Sequence, residues 1–133
     1  MTRHEAREQA FLVLFDKSFH PDQTLEEVIS VAAEDEMITL DKFANSVVSF
    51  ACENEEKIDT IIEQNLRGWK MSRISRVSLS VLRLAVAELL IGEAPEGVIA
   101  NEAVELCKLY SGKEDASFVN GVLGEYIRGR KSE

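Results

Sequence analysis

The stretch from Arg76 to Ile91, RVSLSVLRLAVAELLI, constrains the fold more than any other part of the chain. Val77, Leu79, Val81, Leu82, Leu84, Ala85, Val86, Leu89, Leu90 and Ile91 fall on every side of a 3.6-residue helix, and inside it only Arg83 and Glu88 carry charge. A helix that is apolar all round belongs in a core. It is shorter than the roughly 20 apolar residues that a bilayer requires, so burial among other helices is expected and a membrane span is not. Ser75 can cap its start, and Gly92 followed by Pro95 stops it. An unpaired buried charge is costly, so Arg83 calls for a carboxylate, with Glu102 and Glu88 as candidates.

The remaining segments read as helices able to surround that one. Thr2-Arg3-His4-Glu5 has the form of a capping box and opens a first helix whose buried stripe is Ala6, Ala10, Phe11, Leu14 and Phe15, ending near His20-Pro21. Thr24 to Glu27 repeats the pattern before Val28, Ile29, Val31 and Ala32, and the turn Glu34-Asp35-Glu36 closes that second helix. A third helix from about Leu40 to Cys52 buries Phe43, Ala44, Val47, Val48 and Ala51; a fourth from about Lys57 to Leu66 buries Ile58, Ile61, Ile62 and Leu66. Arg67-Gly68 breaks the chain, and Trp69 beyond it is expected to plug a core seam rather than stack a base. Two further helices start near Val98 and Ala116, the first closed by Gly112. Nothing alternates with period two. The reading is all-α, about seven helices in one domain over residues 1–133, large enough to bury a core without metal or disulfide.

Charge is unevenly spread along a chain of net charge −9. Residues 22–63 carry twelve acidic and two basic groups, whereas residues 64–83 carry Arg67, Lys70, Arg73, Arg76 and Arg83 with no acid at all. Only the basic segment suits phosphate; the simpler alternative is ordinary surface arginines beside a solvated acidic helix pair. Arg3 and Arg7 stand four apart near the first helix's start, a spacing that presents two guanidinium groups to a phosphate strand or satisfies them on Glu8 or another local carboxylate. Chemistry-bearing motifs are lacking: no phosphate-cradling glycine loop, no metal-spaced His and Cys set, no nucleophile elbow. His4 and His20 cannot easily share a ligand, and Glu102 with Glu105 is an ordinary surface pair. No catalytic residue, metal or cofactor is therefore assigned. Cys52 and Cys107 sit in apolar helical patterns as small buried hydrophobes, and the charged first twenty residues lack a secretory signal's apolar run, which together point to the cytoplasm.

Several strings carry a family resemblance: Arg3-His4-Glu5-Ala6-Arg7-Glu8, Val81-Leu82-Arg83-Leu84-Ala85 with Glu88-Leu89, Asn101-Glu102-Ala103-Val104-Glu105-Leu106, and Phe118-Val119-Asn120-Gly121-Val122-Leu123. In this order and spacing they resemble the NusB family of bacterial transcription antitermination factors across the whole chain. The resemblance implies two roughly perpendicular three-helix bundles, and partners comprising boxA-type leader RNA, the ribosomal protein NusE and the RNA polymerase antitermination complex, without catalysis. It implies an RNA surface of Arg3, Arg7, Phe15, Asp115 and Phe118, and a protein-docking surface of Ser78, Leu79 and Leu82. Arginines supply phosphate contacts and aromatic rings a stacking face for an unpaired base, worth roughly 1–3 kcal/mol. Five phosphate contacts would give a log-log salt slope of roughly −3.5 on single-stranded RNA.

The chain departs from the family pattern where Ser117 precedes Phe118, where only Arg3 and Arg7 stand at the N-terminus, and where Ser78, Leu79 and Ala87 replace an acidic, a basic and a tyrosine residue. Those departures leave a second reading, a protein-only helical scaffold or homodimer using an exposed Leu79. A third, the NusB-like domain of a ribosomal RNA methyltransferase, is disfavoured by the chain length.

Overall fold

The computed structural model describes residues 1–34 and 39–131. Among them are seven α-helices: α1 (Arg3–Ser18), α2 (Leu25–Glu34), α3 (Lys42–Glu53), α4 (Glu55–Gln64), α5 (Arg76–Ile91), α6 (Glu96–Tyr110) and α7 (Lys113–Lys131), with one 3-10 turn at Met71–Arg73. The turn expected to close α2 falls on Asp35 and Glu36, outside the described residues.

Local chemistry explains most boundaries. At α1 the Thr2 hydroxyl accepts from the Glu5 amide at 3.1 Å while the Thr2 amide donates to the Glu5 carboxylate at 3.0 Å, so two otherwise orphaned donors are satisfied. Ser75 accepts from the Ser78 amide at 3.1 Å to open α5, and Gly92 closes it in the left-handed region at φ 76, its N–H donating to the Glu88 carbonyl at 2.9 Å. Three helices begin earlier than periodicity predicts: α4 at Glu55, α6 at Glu96 and α7 at Lys113. In each the acids that precede the expected start, Glu55 and Glu56, Glu96, and Glu114 with Asp115, form the first turn, where the helix dipole favours negative charge.

As its composition demands, α5 is the shared core, packing against α1, α3, α4, α6 and α7. On one side α1 carries α2 and α3; on the other α6 and α4 lie against α7. Leu82, Leu84 and Leu89 of α5 are fully enclosed together with Phe11, Ile58, Ile62, Ile99, Leu106 and Leu123. Truncating one such leucine to alanine costs about 2–5 kcal/mol. Both cysteines are free thiols; Cys107 is fully buried, which pushes its thiol up to about 12, while Cys52 is half-buried.

Both charges inside α5 are neutralised, by partners other than those expected. Arg83 does not meet Glu102 or Glu88: its guanidinium donates twice to Asp59 of α4, at 2.9 Å to each carboxylate oxygen, with Glu55 at 3.4 Å. Glu88 instead accepts two bonds from Arg7 of α1, at 2.8 and 2.9 Å, with both side chains only 5% exposed. Glu102 accepts from His4 Nδ1 at 2.6 Å. The α4 carboxylates 55 and 59 share one face at i, i+4 spacing, which is what lets them converge on one arginine.

Candidate nucleic-acid interface

The start of α5 is a junction. The Ser75 hydroxyl that caps it also donates to the Asp115 carboxylate of α7 at 3.0 Å, and the Ser111 hydroxyl, from the turn between α6 and α7, donates to the same oxygen. Arg76, the first residue of α5, donates to the Ser18 carbonyl at the end of α1 at 2.6 Å and lies 4.6 Å from the centre of the Phe19 ring. Two hydrogen-bonded links thus hold the end of α1, the start of α5 and the start of α7 in one surface.

Aromatic rings lie in and beneath that surface. Phe15 meets Phe19 edge-on at 5.1 Å and stacks on Phe11 at 5.7 Å, and Phe11 in turn lies 4.9 Å from Tyr110. Phe118 on α7 lies 5.3 Å from Trp69. Cations surround the rings: Arg67, Lys70, Arg73 and Arg76 are all exposed, and Lys17 is half-buried. Arg67 and Arg128 both donate to Glu125 at 2.9 Å. The bond from Arg128, followed by that from Arg67, holds the Glu125 carboxyl below the usual carboxylate range. Among the described residues, no ion pair engages Lys70 or Arg73.

The site residues expected from sequence fare differently. Asp115 lies in this junction and accepts from Ser75, with Phe118 one turn further along α7 and Phe15 one turn before Ser18 on α1; Phe15 and Phe118 keep part of their surface in solvent. Arg3 is exposed but stands at the opposite end of α1, about 18 Å from Phe15 along the helix axis by the usual rise. Its guanidinium lies 4.0 Å from the Phe43 ring. Arg7 departs from the expectation outright. It is 4% exposed and doubly bonded to Glu88, so it cannot offer its guanidinium to a phosphate while that pair holds. The paired presentation of Arg3 and Arg7 is therefore absent.

The protein-docking trio is also corrected. Ser78 and Leu82 are completely buried, on the turns of α5 that face the core, and only Leu79 retains accessible surface. Leu79 lines a cleft of about 400 Å³ with Leu14, Lys17, Met71, Ile74 and Arg76, which runs beside the junction.

Trp69 departs from the core position that its place before the central helix predicts. It is 55% exposed, outside any core seam. The acid-free run from 64 to 83 was the signal that could have found it, since a tryptophan among four exposed cations has the composition of a surface for nucleic acid.

The chain is similar to known proteins over most of its length. The profile of the NusB family matches residues 4–128. The transcription antitermination protein NusB of Lysinibacillus sphaericus (strain C3-41) is 40% identical over 128 residues, covering 95% of this chain and 97% of that protein. The NusB of Lachnoclostridium phytofermentans is 42% identical over 131 residues, covering 96% and 99%. Among solved structures, a chain from the crystal structure of antitermination factors NusB and NusE in complex with dsRNA superposes with a TM-score of 0.83 at 32% identity, over 97% of this chain and 99% of that one. With the fold, the junction motifs and these full-length matches in accord, the chain belongs to the NusB family.

Proposed function

We propose that this chain is a transcription antitermination factor that binds boxA-type leader RNA jointly with ribosomal protein NusE, in the cytoplasm, as part of the RNA polymerase antitermination complex and without catalysing a reaction. The observation that carries the reading is the junction at the start of α5, where exposed cations ring a set of partly accessible aromatic side chains. Family membership and the solved NusB and NusE complex with dsRNA support it.

Within this reading Phe15 and Phe118 provide rings for the RNA, Asp115 positions the surface, and Arg67, Lys70, Arg73 and Arg76 supply the phosphate contacts, with Arg3 as an outlying fifth. Arg7 serves through the fold, by fixing α1 against α5. NusE docks along the cleft beside Leu79, where Met71, Ile74 and Leu79 keep apolar surface accessible. Two proteins sharing one strand compensate for a surface that lacks Arg7.

The test is fluorescence anisotropy of a labelled boxA-type RNA titrated with this protein, with and without the NusE-type ribosomal protein, at two salt concentrations. The expected result is an affinity that the ribosomal protein sharpens and that falls with salt, with a log-log slope of roughly −3.5 for five phosphate contacts. Absence of binding in every condition would overturn the RNA role and leave the protein-only scaffold. Leu79 is the feature that would then matter, since it offers apolar surface without needing RNA.

A further inference from the structure

Trp69 is the only tryptophan of the chain and stands 55% exposed, although large aromatic side chains usually bury most of their area. The turn that carries it outward depends on Gly68, whose φ of 75 lies in the left-handed region. Trp69 and Phe118, 5.3 Å apart with their planes at 61°, form the wall of a cleft of about 300 Å³. Asn65, Ser117 and Gly121 contribute to the rest of its lining. A Cβ placed on Gly121 would meet nothing within 4 Å, so the cleft is open on that side.

Its electrostatics discriminate between occupants. Arg67 and Arg128 flank the opening and share one carboxylate, Glu125, so the lining is positive on balance. Lys70, next to Trp69, and Arg73, one 3-10 turn further on, are exposed, and among the described residues neither has a carboxylate partner. An apolar peptide would leave these cations uncompensated. A nucleic-acid strand offers a flat π face for the rings and a phosphate on either side of it for the cations. Bases in a duplex are already stacked on each other, so only an unpaired base can enter.

We propose that the Trp69–Phe118 cleft is a stacking site for one unpaired base of a single-stranded RNA, with Lys70 and Arg73 holding the adjoining phosphates. The proposal rests on the RNA-binding reading above and adds to it a stacking residue and a requirement for unpaired RNA at this position.

Because Trp69 is alone in the chain, its own fluorescence reports the site. A short boxA-type single strand and the same strand annealed to its complement are titrated with the protein in the presence of the NusE-type ribosomal protein, following anisotropy of an RNA label and tryptophan emission together. Since the ribosomal protein can carry tryptophan of its own, the emission of the Trp69→Phe complex is subtracted. The single strand is expected to quench Trp69 and the duplex to leave it unchanged. Trp69→Ala is expected to weaken single-strand binding about 5- to 150-fold, while Trp69→Phe retains most of it. Circular dichroism spectra of both variants matching the original chain exclude a folding effect.

If the single strand binds by anisotropy but Trp69 emission and the Trp69→Ala affinity do not change, the stacking site is overturned and the RNA-binding reading stands. If no RNA binds under any condition, both fall. If Trp69 emission shifts with protein concentration in the absence of RNA, a second copy of the chain covers this face, and the proposal is likewise overturned.

Discussion

The start of α1 and the start of α5 hold the same ingredients, arginines beside aromatic rings, and put them to opposite uses. At the start of α1 the basic side chains have partners within the protein: Arg7 has Glu88, His4 has Glu102, and Arg3, still exposed, has the Phe43 ring. At the start of α5 the cations outnumber their partners. Arg76 is tied to a backbone carbonyl, Arg67 shares Glu125 with Arg128, and Lys70 and Arg73 meet no carboxylate among the described residues. The difference comes from the distribution of acids. Carboxylates on α5 and α6 face α1, whereas residues 64–83 contain none. A cation's position along the chain says where charge is placed, and only its neighbours in space decide whether that charge is left for a ligand.

The largest effect is expected of Glu88→Ala, which strands Arg7 as an unpaired charge in the core. Removing one partner of a buried pair is expected to cost about 3–5 kcal/mol in urea unfolding. The double change Arg7→Met with Glu88→Leu should recover most of that loss, because an apolar pair of similar volume removes the need for neutralisation. Equal unfolding of the Glu88→Ala variant and the original chain would show that the two groups are not paired in solution.

Smaller effects probe the other contacts. Leu79→Asp places a charge in the cleft beside the junction and is expected to weaken binding of the NusE-type ribosomal protein by about tenfold, or about 1.4 kcal/mol, measured by calorimetry. Arg3→Ala removes a guanidinium from the face of Phe43, an exposed cation–π contact worth about 0.5–1 kcal/mol of stability. The smallest effect belongs to His4. Its hydrogen bond to the Glu102 carboxylate, and then the charge of that carboxylate, hold the imidazole's pKa above its ordinary value. A raised folded-state pKa means that the pair contributes fully below the unfolded histidine's pKa of about 6.5 and that the contribution is lost as pH rises through the folded value. Both side chains are partly in water, so its size stays below about 1 kcal/mol. Glu102→Gln should flatten that part of the stability-against-pH curve.

The fold was largely legible because its core is written as one continuous apolar helix, bounded by Ser75 and Gly92, both of which cap as expected. Legibility failed where one feature serves two purposes. Acids such as Glu114 and Asp115 precede the start that periodicity gives α7 yet form its first turn. Arg7 read as a surface cation because it is an arginine, although its spacing to Phe11 and Leu14 places it on the buried stripe of α1. Its partner, Glu88 of α5, is 81 residues away and only the fold brings the two together. Ser78 and Leu82 were assigned to docking by resemblance, and the apolar periodicity all round α5 already argued for their burial. Trp69 was lost for the converse reason: an aromatic residue next to a core helix is usually inside, and its exposure depends on the left-handed turn at Gly68.

In the proposed function the cations that meet RNA lie at the start of α5. The direct test is the salt dependence of RNA binding for the double variant Lys70→Ala with Arg73→Ala, beside Arg3→Ala and the original chain, each with the ribosomal protein present. Losing two phosphate contacts on a single strand should reduce the log-log slope by about 1.4, with thermal unfolding unchanged. Arg3→Ala should reduce it by no more than about 0.7. An unaltered slope in the double variant, with RNA still bound, would place the phosphate-binding surface elsewhere on the molecule.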